Sequence, residues 1–356
     1  MTDSVTPTRM DDRMDFVRRG LLRGAVAGAG IAGLGLALGG SVAFAKGIGF
    51  PALALGRLKN VDAGVLNIAY CEAGPADGPA VVLLHGFPYD IEAYAEVAPL
   101  LASAGCRVIV PYLRGFGPTR FLNAGTLRSG EFAAFGADLL ALLDALALPR
   151  AVLAGYDWGG KAASAVAALW PERCAGLVSG NGYAFTEPSA ALVPALPESE
   201  TPLWWQFYFQ TERGRAGYTK YRREMNRSFW KQWSPTWRFD DGTFARTAGS
   251  FDNPDHVDVS IHSFRYRFGA VKGDPAYAEI DRKLASLPAI PVRTMTLDGA
   301  DDGAHGPTDG SAQAAKFTGP RTHRVIPGAG HNLPQEAPGA FADAVLELVR
   351  ADRRTR

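Results

Sequence analysis

The sequence predicts an α/β protein: a mostly parallel sheet flanked by helices, with a helical subdomain inserted past its middle. Short β-branched apolar runs alternate with longer stretches of helical periodicity, the pattern of parallel strands buried on both faces. Between about residues 184 and 287 those runs stop, and Trp, Tyr, Phe and Arg take over. The 356-residue chain is 47% hydrophobic and 21% charged, which suits a packed core rather than disorder.

Residues 1–45 are set apart first. "VRRGLLRGAVAGAGIAGLGLALGGSVAFAKG" holds the pair Arg18-Arg19, a Gly-rich mildly apolar run and Ala43-Phe44-Ala45, a small-x-small cleavage pattern. This has the form of a twin-arginine export signal. The glycines make the run too weakly hydrophobic for a stable span. The expectation is a periplasmic or secreted protein with no stable membrane anchor after cleavage.

Residues 46–183 are read as the first part of the core. "VLNIAYCEAG" predicts a strand, and "AVVLLHG" (Ala80–Gly86) and "RVIVPYLRG" predict two buried ones. The apolar spacing from Gly130 to Leu148 predicts a helix. "AVLAGYD" (Ala151–Asp157) is another buried strand, and "GGKAASAVAALW" a helix stopped by Pro171. "GLVSGNG" follows as a strand. Residues 184–287 form the helical subdomain, carried by "LWWQFYFQTERGRAGYTKYRREMNRSFWKQW". Residues 288–356 return to the core with "VRTMTLDG", "HRVIPGAGH" and a last amphipathic helix from about Glu336 to Arg350.

The net charge of +1, with acids and bases interspersed, leaves no electrostatic footprint for nucleic acid. Cys71, Cys106 and Cys174 have no metal-ligand spacing and are read as buried free thiols. No metal or cofactor is expected. Arg213, Arg215, Arg222 and Arg223 of the insert are read as a solvated face rather than a carboxylate clamp.

"AGYDWGGKAA" sits between a buried strand and a helix. Gly155-x-Asp157-x-Gly159 matches the sharp turn that presents a nucleophile, with Asp157 where a serine usually stands. An acid and a histidine follow in the order this arrangement requires. The acid is Asp302, then Asp301, from "LDGADDGAH"; Asp298 at the strand end is read as a backbone cap. The histidine is His331, after "GAG" at a strand end, whereas His85 in "HGFP" is read as structural. The N–H groups of Phe87 and Trp158 are placed to form an oxyanion hole.

A carboxylate nucleophile selects its own chemistry. It is ionised near neutral pH and needs no base to attack. Attack on a saturated carbon gives an alkyl ester, and water activated by His331 then attacks the carbonyl carbon of Asp157 itself. The substrate is therefore a small molecule with an electrophilic sp3 carbon and a leaving group, an epoxide or an alkyl halide. A small-molecule binder with a decayed site is the reading from a different class; the complete set of three residues argues against it.

With these residues in place, the chain resembles the epoxide hydrolase and haloalkane or haloacetate dehalogenase branch of the α/β-hydrolase superfamily. The resemblance runs from about Leu58 to Val349 and rests on "HGFP", "GYDWGG", "FYFQTERG" and "GHNLPQEAP". It implies an α/β-hydrolase core whose insert roofs the site as a cap. It ranks epoxide hydrolysis first, because many haloalkane dehalogenases have Asn at the position of Phe87. Dehalogenation by the same two steps comes second. The resemblance also implies two cap tyrosines that protonate the opening epoxide, yet those positions hold Trp205 and Phe264. Tyr208, three residues after Trp205 and near it on a helix, is the substitute donor to expect; Tyr266 is turned away from Phe264. Trp158 and Trp205 offer indole N–H groups of the kind dehalogenases use to hold halide, and fluoroacetate dehalogenases resemble the chain in a Trp at the Trp205 position. A structure with Tyr208 out of the pocket would put dehalogenation first.

Overall fold

The apolar runs become the inner strands of a nine-stranded sheet in the computed structural model. The structure describes residues 55–354 apart from 181, 183, 184 and 186–191, so the expected export signal lies outside the described residues. The strands are β1 (Arg57–Ala63), β2 (Leu66–Ala73), β3 (Ala80–Leu84), β4 (Arg107–Pro111), β5 (Arg120–Phe121), β6 (Ala151–Gly155), β7 (Cys174–Gly180), β8 (Thr294–Gly299) and β9 (Arg321–Ile326). Their spatial order is β1-β2-β4-β3-β6-β7-β8-β9, with β5 beside β2. From β4 to β9 every neighbouring pair is parallel, while β2 is antiparallel to β1, β4 and β5.

The parallel strands are buried on both faces, as with Val81, Val82, Leu83, Val108, Ile109, Leu153, Leu177 and Val178. Each such side chain contributes roughly 1.5–3 kcal/mol on leaving water. The strand β1 is the opposite case. Most of its residues are exposed and it carries Arg57, Lys59 and Asp62, the mixed charge that protects a sheet edge from further pairing.

The helices are α1 (Val97–Ser103), α2 (Phe132–Ala145), α3 (Asp157–Leu169), α4 (Pro197–Glu200), α5 (Trp204–Phe209), α6 (Glu212–Trp233), α7 (Asp241–Ala248), α8 (His256–Arg267), α9 (Ala278–Ala285), α10 (Leu333–Glu336) and α11 (Pro338–Arg353). Between β7 and β8 the described residues hold helices and no strand. Cys71, Cys106 and Cys174 are free and buried.

One buried ion pair ties the loop after β4 to the core. Arg114 donates to both oxygens of Asp138 on α2, from Nε at 2.6 Å and from an Nη at 2.7 Å. Its other Nη donates to the carbonyl and hydroxyl oxygens of Ser129, each at 2.9 Å. The fork geometry of the guanidinium satisfies a buried carboxylate that a lysine would leave half-bonded.

Candidate active site

Parallel register brings the ends of several strands to one edge of the sheet. Leu84 pairs with Gly155 and Gly155 with Ser179, and Leu297 pairs with both Gly180 and Arg324. In an open α/β sheet the crevice beyond the carboxyl ends is where ligands bind. The loops leaving β3, β6, β8 and β9 carry Phe87, Asp157, Asp302 and His331 to that edge.

Asp157 sits at a strained turn between β6 and α3, with φ of 48°. A non-glycine residue there costs on the order of 1–3 kcal/mol, which the surrounding packing must offset. Gly159 makes the turn possible, because a Cβ there would collide with the carbonyl of Leu84. The turn aims the Asp157 carboxylate along the sheet edge. Its Oδ1 accepts from the Phe87 N–H at 2.7 Å. Its Oδ2 lies 3.9 Å from Nε2 of His331. On its other side His331 faces Asp302, with Nδ1 at 2.9 Å from Oδ2. Trp158 is the second residue of α3, where a helix N–H has no intrahelical acceptor.

The electrostatics follow from this chain of groups. Burial opposes a proton on His331, but the charges of Asp302 and Asp157 overcome it and push its pKa up to about 10. Burial alone would raise both acids. The His331 charge and hydrogen bond hold Asp302 down at about 2. The neighbouring His331, the charge of Lys161 and the Phe87 N–H hold Asp157 well below the usual carboxylate range. At neutral pH the site therefore carries two carboxylates around an imidazolium.

Several groups that the sequence reading missed fix His331 and Asp302. The carbonyl of Trp233, at the end of α6, accepts from the Gly303 N–H at 2.9 Å and from the His331 N–H at 3.2 Å. The Ser234 hydroxyl accepts from the His331 N–H at 3.1 Å and donates to Glu336 at 2.6 Å. Glu336 also accepts from the N–H groups of Gly330 at 2.7 Å and Asn332 at 2.9 Å, the residues on either side of His331. Asp302 Oδ1 accepts from the N–H groups of Ala304 at 2.7 Å and His305 at 3.2 Å. The neighbouring acids do other work. Asp298 accepts from the Thr308 N–H and hydroxyl, and Asp301 accepts from the Thr236 hydroxyl. His85 accepts from the Leu113 N–H at Nε2 and donates to the Gly86 carbonyl from Nδ1.

The cap covers this edge with aromatic rings. Phe87 stacks on Trp158 at 4.9 Å between ring centroids and lies 5.1 Å from Phe264 and 6.1 Å from Trp205. Trp233 stands 5.5 Å from Trp205 and 5.2 Å from His331. The Nε1 atoms of Trp205 and Trp233 are buried and have no hydrogen-bond partner. Trp205 and Phe264 pack against Phe87 at this edge, and Trp233 packs between Trp205 and His331. The expectation for Tyr208 is corrected. On α5 the buried stripe is Trp205, Gln206 and Phe209, which leaves Tyr208 on the flank. Its ring packs on the exposed Trp204, and its hydroxyl fills the space left by the missing side chain of Gly217. Three residues along a helix is a turn of about 300°, and here that rotation carries Tyr208 off the pocket. Among the surface arginines, Arg215 pairs with Asp258, and Arg222 and Arg223 with Asp252. Among the described residues no group of His, Cys, Asp and Glu could hold a metal ion.

The model for the alpha/beta hydrolase fold matches residues 79–338. The chain belongs to the α/β-hydrolase fold family. Within it, the similarity is to the epoxide hydrolase and dehalogenase branch. This α/β-hydrolase is 27% identical to Epoxide hydrolase A of Mycobacterium tuberculosis, over 81% of its own length and 96% of the relative's. It is 49% identical to a "putative epoxide hydrolase" from Klebsiella pneumoniae subsp. pneumoniae known from a crystal structure, with a TM-score of 0.82 over 84% of this chain and 99% of that one. A haloalkane dehalogenase of Mycobacterium marinum is 38% identical, but over 33% of this chain and 39% of its own.

Proposed function

We propose that the protein hydrolyses epoxides to diols through an ester on Asp157. The observation that carries this is the Asp157 carboxyl at the strained turn, 2.7 Å from the Phe87 N–H and 3.9 Å from His331. The near full-length similarity to epoxide hydrolases supports the substrate class.

The proton count closes within the site. An Asp157 oxygen forms a bond to one epoxide carbon, and the C–O bond breaks toward the oxygen. The unpartnered indole N–H groups of Trp205 and Trp233 are donors for the charge developing there. Esterification removes one of the two negative charges that hold the proton on His331. The imidazolium releases that proton, through water, to the opened oxygen and becomes neutral. Neutral His331, oriented by Asp302, then takes a proton from water, and the hydroxide attacks the Asp157 carbonyl carbon. The N–H groups of Phe87 and Trp158 receive the oxyanion. On collapse the leaving oxygen regains a proton from His331. The new carboxyl proton passes back to His331, restoring the resting state.

Dehalogenation by the same two steps is the second reading. Two indole N–H donors suit a departing halide, and halide departure needs no proton. The position of Tyr208 outside the pocket favours this reading, as the sequence argument anticipated. Epoxide opening stays first because the imidazolium supplies the proton a cap tyrosine would give, and because the relatives matched along their length are epoxide hydrolases.

His331→Gln separates the two. Removing His331 stops ester hydrolysis and traps the alkyl-enzyme; it also removes the proton that opens an epoxide, so alkylation by epoxides is slow and is followed over long incubation. Small epoxides and small alkyl halides are incubated with it separately, and Asp157 peptides are weighed. A whole-epoxide adduct is the expected result. An alkyl adduct with released halide would establish the second reading, and an Asp157 left unmodified by both panels, in His331→Gln and in wild type quenched during turnover, would overturn both.

A further inference from the structure

The six histidines of the chain divide by what their ring nitrogens do. In five of them both nitrogens face a partner. His85 and His256 hold buried groups of the core and cap. His262 and His323 hold loop and strand groups, and His331 stands between Asp302 and Asp157. His305 differs: among the described residues no group bonds either of its ring nitrogens. It is nevertheless held in place. Its own N–H donates to Asp302 Oδ1 at 3.2 Å, and the Gly306 N–H closes the turn onto the Asp302 carbonyl at 2.9 Å. Gly306 takes a φ of 67°, a value a side chain would strain. The turn brings the His305 ring to 5.5 Å from the His331 ring, centroid to centroid, with the planes tilted by 48°. His331 is only 1% exposed, whereas His305 is exposed. A free imidazole open to water therefore lies against the buried base.

The ester mechanism has a use for such a group. His331 is protonated in the resting site and must lose that proton before it can activate water. A ring so little exposed has scant water of its own to receive it. An imidazole can accept a proton at one nitrogen while giving one from the other. The charged groups acting on His305 are His331, Asp302, Lys161 and Asp157. Hydration lost to the surrounding wall of protein, and then the His331 charge, bring its pKa down to about 4, against the two carboxylates. It is therefore neutral at rest, with a nitrogen free to accept. Esterification of Asp157 removes a charge that keeps the proton on His331, and departure of that proton removes a charge that keeps one off His305. The two proton affinities converge at the step where transfer is needed.

We infer that His305 is a relay residue that carries the His331 proton to the water of the cleft once Asp157 is alkylated. The Nε2 proton of His331 passes through water to one nitrogen of His305, and a proton leaves the other nitrogen. In epoxide opening that water passes a proton on to the opened oxygen, so the count of the scheme above is unchanged. After halide departure the proton stays in solvent. The inference rests on the Asp157 ester proposed above and not on the kind of leaving group.

The test compares the wild-type protein with His305→Phe, which keeps a ring against His331, and with His305→Gln. Each is mixed with a small epoxide and, separately, with a small alkyl halide, then quenched over time, and Asp157 peptides are weighed. The Tm of both variants should match wild type. Hydrolysis of the Asp157 ester should slow about 100-fold in both, the lower end of what a positioned acid or base contributes. With the epoxide, ester formation slows as well, because the opened oxygen draws on the same proton. Imidazole added once the ester has formed should restore its hydrolysis in both variants in proportion to the free base, and leave wild type unchanged. Unchanged ester hydrolysis in the variants overturns the relay. Slowing that imidazole does not relieve overturns it too, and makes His305 a brace for Asp302. An ester formed from the halide alone overturns the epoxide reading, and the relay is then judged by the same rates on the halide. A wild type that forms no Asp157 ester with either substrate overturns the ester mechanism and the relay with it.

Discussion

Replacing Asp302 by Asn removes a charge from the back of His331 while keeping its shape. Both side chains are 1% exposed, and the contact is 2.9 Å. With the charge centres about 4 Å apart and an effective dielectric of about 20, the interaction is worth about 4 kcal/mol, or roughly three pH units on the imidazolium. His331, held at about 10 in the wild type, should then titrate near neutrality. The nucleophile is untouched, so alkylation of Asp157 should change little. Ester hydrolysis should slow by about 10^3- to 10^4-fold, since the base is less basic and its tautomer is no longer fixed. Rapid quench with an epoxide, followed by peptide mass, reads both steps, and NMR of the imidazole reads the pKa. Accumulation of the Asp157 ester in the variant is the expected outcome. Equal slowing of alkylation and hydrolysis, with no ester building up, would refute the two-step reasoning and the role given to Asp302.

Other perturbations follow from the same geometry. The folded-state pKa of His331 lies above its ordinary 6.5, so its contribution to stability is whole below that pH and is lost as pH rises toward 10; Tm should fall across that window, and fall less steeply in His331→Gln. The interaction at stake is on the order of 5 kcal/mol, counted once for the coupled group. Arg114→Met strands the buried Asp138 and should cost about 3–5 kcal/mol in urea unfolding, whereas Arg114→Met with Asp138→Leu should recover much of it. Glu336→Gln weakens the acceptors for Gly330, Asn332 and Ser234, and kcat should fall about tenfold through ester hydrolysis, with KM little moved. We propose that residues 1–45 direct export: replacing Arg18 and Arg19 by Lys should then leave the full-length protein in the cytoplasm, seen by fractionation.

The fold was legible where burial left a simple trace. Strands β3, β4, β6 and β7 are covered on both faces, so they read as apolar runs. Strand β1 escaped notice because an exposed edge strand looks like any polar segment. Asp157, Asp302 and His331 were legible because strand ends in parallel register converge on one edge, so chain order alone limits the candidates. Trp233, Ser234 and Glu336 were not, since their work depends on how α6 docks, and Ser234 meets Glu336 across 102 residues. Tyr208 misled because three residues fall short of a full turn of helix, which leaves its side chain past the edge of a narrow stripe.

The carbonyl of Trp233 binds the loops of Asp302 and His331 together, and the Trp230 indole on the same helix donates to the Pro88 carbonyl at 2.9 Å, beside Phe87. The roof and the machinery beneath it are therefore not separate modules. Grafting another relative's cap onto this core to change its substrate range would replace the clasp between acid and base together with the pocket lining. Chimaeras that exchange the first part of the cap should be cut before Trp230, so that the end of α6 travels with the core it braces. For the same reason, substitutions in α4 and α5 should disturb the Asp302 and His331 loops less than substitutions in the last turn of α6.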